Sequence, residues 1–378
     1  MKNLIFISVF ALSILEVCGQ IKNVAEKFAL PNTLSESSGA IFFNGKLITH
    51  NDSGGENKLY EVDTLSGIVT REVLITNATN IDWEDLTQDE TSIYIGDIGN
   101  NASGNRTDLK IYKINKNDYL GSTSVSAETI AFSYTNQTDF TAVSANTTEW
   151  DAEALVSFDA SSLMVFSKNW EDGTTLGYLV PKTPGTYPLS PMSKTLNSGG
   201  LITGGTYNSL TGKLFLVGYT KTLQAFIWEC SNFLGSNVFS GTNTQTMLSS
   251  LSFEQAEAIT FVNENRYFVT SESFSQSFNG FVFSDYAKLI SFSTNDTTLS
   301  WNEKEIAKDS LLYPNPVTNR LTIQNKSVSL VEVYDAKLTQ IYVGAKKIID
   351  MSNFPKGIYF LKITSNNGEV TLKKIVKK

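Results

Sequence analysis

Acidic side chains recur at comparable places along this chain, and carboxylates brought together can hold a cation or move a proton. The densest set lies in 81–101. Glu84 and Asp85 stand beside Trp83, and Ser92-Ile93-Tyr94-Ile95-Gly96 then leads to Asp97 and the turn residues Asn100 and Asn101. Glu36, Glu153 and Glu257 stand in similar settings, each just ahead of a short apolar stretch. Grouped carboxylates cannot all stay ionised and unpaired, so a bound cation, protons, Lys168 or backbone amides must neutralise them. Oxygen-only donors suit Ca2+ better than Zn2+. The candidate calcium ligands are therefore Glu36, Glu84, Asp97, Glu153 and Glu257.

The loop His50-Asn51-Asp52-Ser53-Gly54-Gly55 mirrors the one from Asp97 to Asn101. Such loops suit ordinary hairpin turns, and they also suit oxygen-donor sites. The candidate ligand contacts are Glu84, Asp85, Asp52, Asp97, Asn100, Asn101, Glu153, Glu257 and His50. The competing role for the Glu set is to hold backbone amides of neighbouring repeats, and Arg106 is close enough to pair with one of the acids. His50 is the only histidine, and no G-x-S-x-G, HExxH, P-loop or CxxC pattern occurs. A two-carboxylate glycosidase would need only paired acids, such as Glu84 with Glu153 or Glu257. Trp83, Trp150 and Tyr219 either stack on sugar rings or fill gaps between structural units.

Short strands separated by Gly, Asn, Asp and Ser turns must position these residues. Five segments align, beginning near Glu36, Trp83, Ala152, Thr203 and Ala256, at a spacing of about 47 to 69 residues. Each has an inner strand, a second strand (Lys46 to Asp52, Ile93 to Asp97, Leu163 to Lys168, Lys213 to Tyr219, Tyr267 to Glu272) and a third. Fourth strands are visible at Val69 to Ile75, Glu128 to Tyr134 and Thr244 to Leu248. Repeated four-stranded antiparallel units define an all-β chain and predict a β-propeller. The expected blade count is five, with a sixth around Glu128 to Thr147 as the alternative. The last unit lacks an outer strand after Phe292, and Lys22 to Leu30 is placed to supply it and close the ring. Equivalent acids should then converge at one mouth of the channel.

The net charge is −8. From Asp309 onward there are 11 Lys and Arg against 5 Asp and Glu, which leaves 19 against 33 in the rest. An acidic body thus precedes a basic tail, and the body offers no phosphate-neutralising surface for nucleic acid. Residues 1–19 read as a signal peptide, with Lys2 ahead of the apolar run Leu4 to Leu15. A lipid anchor on Cys18 is the weaker alternative, because Glu16 and Val17 stand where small residues are needed. No later run reaches the ~20 apolar residues of a transmembrane helix. Cys230 follows Ala225-Phe226-Ile227-Trp228 and reads as a small buried hydrophobe. The organisation read from these features is signal 1–19, propeller passenger 20–301, linker 302–310 and a C-terminal domain 311–378.

In that domain the alternating strands predict a small Ig-like sandwich. Its motifs are Tyr313-Pro314-Asn315-Pro316, Val333-Tyr334-Asp335, Lys356-Gly357-Ile358-Tyr359-Phe360-Leu361-Lys362 and a lysine-rich last strand ending at Lys378. The segment resembles the type A C-terminal sorting domain of the type IX secretion system of Bacteroidetes. The resemblance implies passage through the outer membrane by the type IX machinery. It also implies a sortase-like peptidase that removes the tail and releases the passenger or attaches it to the cell surface. The combined expectation is an exported recognition module for an extracellular glycan, peptide or small polar ligand. The alternative is a Ca2+-dependent hydrolase of a phosphoester, lactone or glycan.

Overall fold

Five inner strands form the frame: Ser37–Phe43, Trp83–Gln88, Ala152–Ser157, Leu201–Asn208 and Gln255–Phe261. They are buried almost throughout, because each is flanked by its own blade and by a neighbour on either side. Each inner strand packs against the next, and the fifth packs against the first, so the ring is closed. The computed structural model describes residues 21–278, 281–298, 311–324, 328–336, 339–365 and 370–378. The expected leader 1–19 and linker 302–310 lie outside the described residues. The chain divides into two compact units, Met1–Leu299 and Ser300–Lys378.

The blades follow one another in sequence. Blade 1 continues through Lys46–Asn51, Lys58–Asp63 and Val69–Ile75. Blade 2 continues through Ser92–Asp97, Lys110–Asn115 and Glu128–Tyr134. Blade 3 has Ser162–Ser167 and Gly177–Pro181, and its next strand, Gly185–Leu189, pairs in parallel with the edge of blade 2. Blade 4 has Lys213–Tyr219, Ala225–Ser231 and Thr242–Met247. Blade 5 has Arg266–Glu272 and Lys288–Ser293, and Lys22–Ala29 is its outermost strand. The N-terminal strand therefore closes the ring as expected. The alternative sixth blade does not form, because Glu128–Tyr134 is the edge of blade 2 and the chain from there to Thr147 adds no strand.

Apolar cores fill the wedge between each pair of blades. Ile48 and Leu59 meet Trp83 and Ile95 between blades 1 and 2. Ile98 and Ile111 meet Leu155 and Val165 between blades 2 and 3, and Met164 and Phe166 meet Leu214 and Leu216 between blades 3 and 4. Phe215 and Ile227 meet Ile259 and Tyr267, and Phe268 and Leu289 meet Leu47 and Tyr60, completing the circle. Burying each such side chain contributes roughly 1.5–3 kcal/mol. Cys230 sits in the third of these cores, and burial pushes its thiol up to about 12.

Every inner strand carries one extra residue relative to its partner, at the same height. The register shifts fall between Ser37 and Ala40, Trp83 and Leu86, Ala152 and Ala154, Ile202 and Gly204, and Ala256 and Ala258. Such bulges bend a strand and re-aim its side chains. One position beyond the re-aimed residue, four blades have Gly39, Ala154, Gly204 and Ala258, while blade 2 has Asp85. There is little room for more in the others: a Cβ on Gly39 would lie 2.6 Å from the Leu86 amide nitrogen.

Asp85 uses the space its small counterparts leave, and it is not a ligand residue as the sequence suggested. It is fully buried. Its Oδ1 accepts from the Leu86 amide at 2.8 Å, and its Oδ2 accepts from the amides of Leu155 at 2.9 Å and Gly205 at 3.0 Å. The Ala40 amide donates to it as well. These four amides occupy the same position in blades 1 to 4. Burial pushes the carboxyl well above its usual range, and the four amide donors pull against that shift. Replacing Asp85 with Asn turns an amide NH2 toward these donors and leaves buried N–H groups unpaired. The cost should be about 3 kcal/mol or more. Urea unfolding of D85N against the parent measures it, and an unchanged midpoint would refute the role.

The second unit is a two-layered sandwich. Leu311–Tyr313, Arg320–Gln324 and Ile348–Asp350 form one sheet. Gln340–Gly344, Val328–Tyr334, Gly357–Ser365 and Val370–Lys377 form the other. Val317, Leu321, Ile323, Val331, Val333, Tyr359, Leu361 and Ile375 lie in the core between them. Among the described residues, no helix is long and apolar enough to cross a membrane.

Candidate functional site

The bulges carry Ser38, Glu84, Glu153, Thr203 and Glu257 at equivalent heights in blades 1 to 5. A cavity of about 440 Å³ opens at that end of the ring. Asp52, Glu84, Glu153, Glu257 and Glu272 line it, with Lys168, Lys221, Trp170, Tyr219, Gln255 and Asn101. Asp52, Lys168, Tyr219 and Glu272 come from the ends of second strands, as the repeat predicts. In blade 5 the inserted hairpin Phe274–Phe278 with Phe281–Asp285 brings Gln276 to the rim.

The acids divide by their partners. Both oxygens of Glu153 lie 2.6 Å from Lys168 Nζ. That ammonium sits 4.7 Å from the centre of the Trp170 ring and 5.4 Å from that of Tyr219. Burial alone would pull Lys168 down, but the carboxylates around it, Glu153 first, hold it well above its usual value. Asp151 accepts from the Asn100 amide at 2.6 Å and from Trp170 Nε1 at 2.8 Å. Gln255 donates to Glu272 at 2.8 Å. Thr203 turns aside, donating to the Ala256 carbonyl at 2.6 Å, and so links blades 4 and 5.

Glu84 and Asp82 are different. Glu84 is 3% exposed, and its one hydrogen bond from the described residues is a long contact of 3.4 Å from Ser38. Asp82 is 8% exposed, and its carboxylate accepts no hydrogen bond from the described residues. Oxygens of Asp52, Asp82 and Glu84 lie within 4.8 Å of one another, and so do those of Glu84, Asp151 and Glu153. Burial first, and then Asp52 and its acidic neighbours, push Asp82 up to about 7 and Glu84 well above the carboxylate range. Burial raises Asp52 to about 6 and Glu257 to about 7.

Several sequence candidates lie elsewhere. Glu36 is exposed and precedes its strand; Ser38 holds the bulge position, so Glu36 corresponds to Asp82 rather than to Glu84. Asp97 is buried and paired with Arg106 at 2.8 Å, away from the cavity lining. Asn100 is occupied within its loop, donating to the Trp150 carbonyl and accepting from the Arg106 amide. His50 is fully buried, edge-on to Trp83, with Nδ1 2.8 Å from the Asn51 carbonyl, and burial lowers it to about 4. Trp83 fills the wedge between blades 1 and 2, and Trp150 packs on Tyr134.

Asp52, Glu84, Asn101, Glu153 and Glu257 do meet at the cavity. Sequence reasoning missed Asp82, Asp151 and Trp170. The signal for the first two was an acid two residues ahead of the bulge, as in Asp82-Trp83-Glu84 and Asp151-Ala152-Glu153. Strand periodicity sends both acids of such a pair the same way.

Comparisons with known proteins bear on the two units unequally. Residues 311–378 match the family described as the secretion system C-terminal sorting domain. The chain thus carries a type IX sorting domain, and it is a protein exported to the cell surface or beyond with a β-propeller passenger. The sorting domain implies interaction with the secretion machinery. No curated protein matches the chain. Among solved structures, the WD40 domain of Toxoplasma gondii coronin is 9% identical, with 95% of this chain and 88% of that one covered and a TM-score of 0.32. YCF48 from Cyanidioschyzon merolae is 10% identical, with 71% and 98% covered and a TM-score of 0.31. The extracellular domain of a putative hybrid two-component system from B. thetaiotaomicron is 12% identical, with 94% and 57% covered and a TM-score of 0.30.

The raised carboxyls set a pH dependence. A group whose folded pKa lies above its unfolded value binds a proton more readily in the folded state. Stability is then lost as pH rises from the unfolded value through the folded one. For Asp52, Asp82 and Glu257 that window runs from about 4 to about 7. Asp63 and Asp89 are shifted the other way, so their contributions change only at lower pH, while His50, lowered to about 4, gains stability with rising pH over this window and offsets part of the loss. In chelator, the protein should melt several degrees higher at pH 5 than at pH 8 by scanning fluorimetry. The opposite order would contradict this electrostatic picture.

Proposed function

We propose that the protein is an exported recognition module whose mouth cavity binds an extracellular ligand carrying an ammonium or guanidinium group, such as a basic peptide. The observation that carries this reading is the lining: five carboxylates, from Asp52, Glu84, Glu153, Glu257 and Glu272, against Lys168 and Lys221. Lys168 is already held by Glu153, which leaves Glu257 and Glu272, whose carboxyls burial raises, to take up charge against an incoming cation. Trp170 and Tyr219 already hold the Lys168 ammonium over their faces, so this wall of the cavity accommodates a cationic group. A cavity whose charge is one-sided favours ligands of the other sign in both encounter rate and selection. The tail delivers this module, and a sortase-like peptidase acting on 311–378 would release or anchor it.

The Ca2+-dependent hydrolase alternative would draw on the same carboxylates, and no curated relative adds support for it. His50, the chain's only histidine, is buried against Trp83 and lies outside the cavity lining. A peptide array probed with the protein tests the recognition reading. Basic peptides should be retained over acidic ones, binding should weaken with salt, and E257Q with E272Q should lower affinity at least tenfold. Equal retention of acidic and basic peptides would overturn it.

A further inference from the structure

We propose that Asp52, Asp82 and Glu84 form a divalent-cation site, suited to Ca2+, at the blade 1 and blade 2 side of the mouth. The inference rests on the reading of this cavity as the binding site and names a second occupant for it. Three observations carry it. The three carboxylates offer oxygens within 4.8 Å of one another. Ca2+ holds oxygens at about 2.3–2.6 Å, so ligands on opposite sides of one ion lie at most about 5 Å apart.

The second observation is a missing partner. Asp82 is more than nine-tenths buried, faces Asp52 and Glu84, and receives no hydrogen bond from the described residues. A buried, unpaired carboxylate is costly unless something neutralises it. The nearby guanidinium, Arg106, is committed to Asp97, Asp108 and the Gly99 carbonyl. Lys168 faces Glu153. The other acidic trio, Glu84 with Asp151 and Glu153, lacks this vacancy in its hydrogen bonding, since Asp151 and Glu153 are already held.

The third observation is the space itself. The Gly99 backbone runs so close that a Cβ there would fall on Glu84 Oε1 and Asp82 Oδ2. The chain thus keeps side chains out of the pocket these oxygens bound. Asp52 is partly exposed and opens the site to solvent, so waters can complete the six to eight oxygens that Ca2+ takes. The set differs from the one expected from sequence: Asp52 and Asp82 replace Glu36, Asp97, Glu153 and Glu257, and Glu84 is common to both.

The test is a calcium titration of the full chain after chelator treatment, read by calorimetry and by melting temperature. Ca2+ alone should bind near one equivalent and raise the melting temperature by several degrees, and chelator should reverse it. D82N and E84Q should each weaken calcium binding at least tenfold while melting in chelator no lower than the parent. E128Q, an exposed position on the edge strand of blade 2 outside the cavity lining, should bind calcium as the parent does. Absence of a calcium effect on folded protein, or an equal effect in D82N and E84Q, overturns the site. Retention of basic peptides without any calcium effect also overturns it, and leaves the recognition reading standing. Calcium binding without peptide retention supports the site and removes the recognition reading.

Discussion

One buried carboxylate sits among the inner strands of four blades. Asp85 accepts hydrogen bonds from equivalent amides of four blades, and its counterparts in the others are Gly or Ala. The constraint is geometric before it is energetic. Five inner strands can approach this closely only if four of them carry almost no side chain at that height. The amides exposed by that approach then need an acceptor. Lesser links repeat the theme farther along the strands. Thr87 accepts from the Ser157 amide at 2.8 Å, Thr260 accepts from the Phe42 amide at 3.1 Å, and Gln88 donates to the Phe42 carbonyl at 2.7 Å.

The same extra residue in each inner strand produces both the staple and the mouth. In blade 2 it separates two adjacent acids into opposite roles. Asp85 meets donors and is satisfied, while Glu84 meets other acids and is not. Holding so many carboxyls together opposes folding. The wedge cores from Trp83 to Phe268, and the closing strand Lys22–Ala29, supply the stability that lets the mouth persist. The cation proposed for the mouth would relieve a cost the fold already bears.

Much of the fold was legible in the residues. The repeat gave the blades, the missing strand after Phe292 pointed to Lys22 to Leu30, where Lys22–Ala29 closes the ring, and the motifs from Tyr313 to Lys378 marked the sorting domain. The site was legible only in part, because a bulge moves one residue and side-chain direction reverses with each residue. Glu36 stands two positions ahead of the true counterpart of Glu84, which is Ser38. Asp85 looked like a second ligand, since nothing in the local sequence shows that amides from three other blades converge on it. His50 and Asp97 were expected among the contacts at the mouth, but tertiary packing against Trp83 and Arg106 buries them outside its lining. The acids Asp82 and Asp151, each just ahead of an inner strand, were visible as a pattern, yet their convergence on Glu84 depends on ring closure.

Amide hydrogen exchange tests the central claim, that one carboxylate ties the inner strands together. The amides of Ala40, Leu86, Leu155 and Gly205 lie far apart in sequence and belong to four blades. They should be among the slowest to exchange in the parent, and in D85N they should lose protection together. Unchanged protection of these four amides in D85N, or loss confined to Leu86 in Asp85's own blade, would contradict the account.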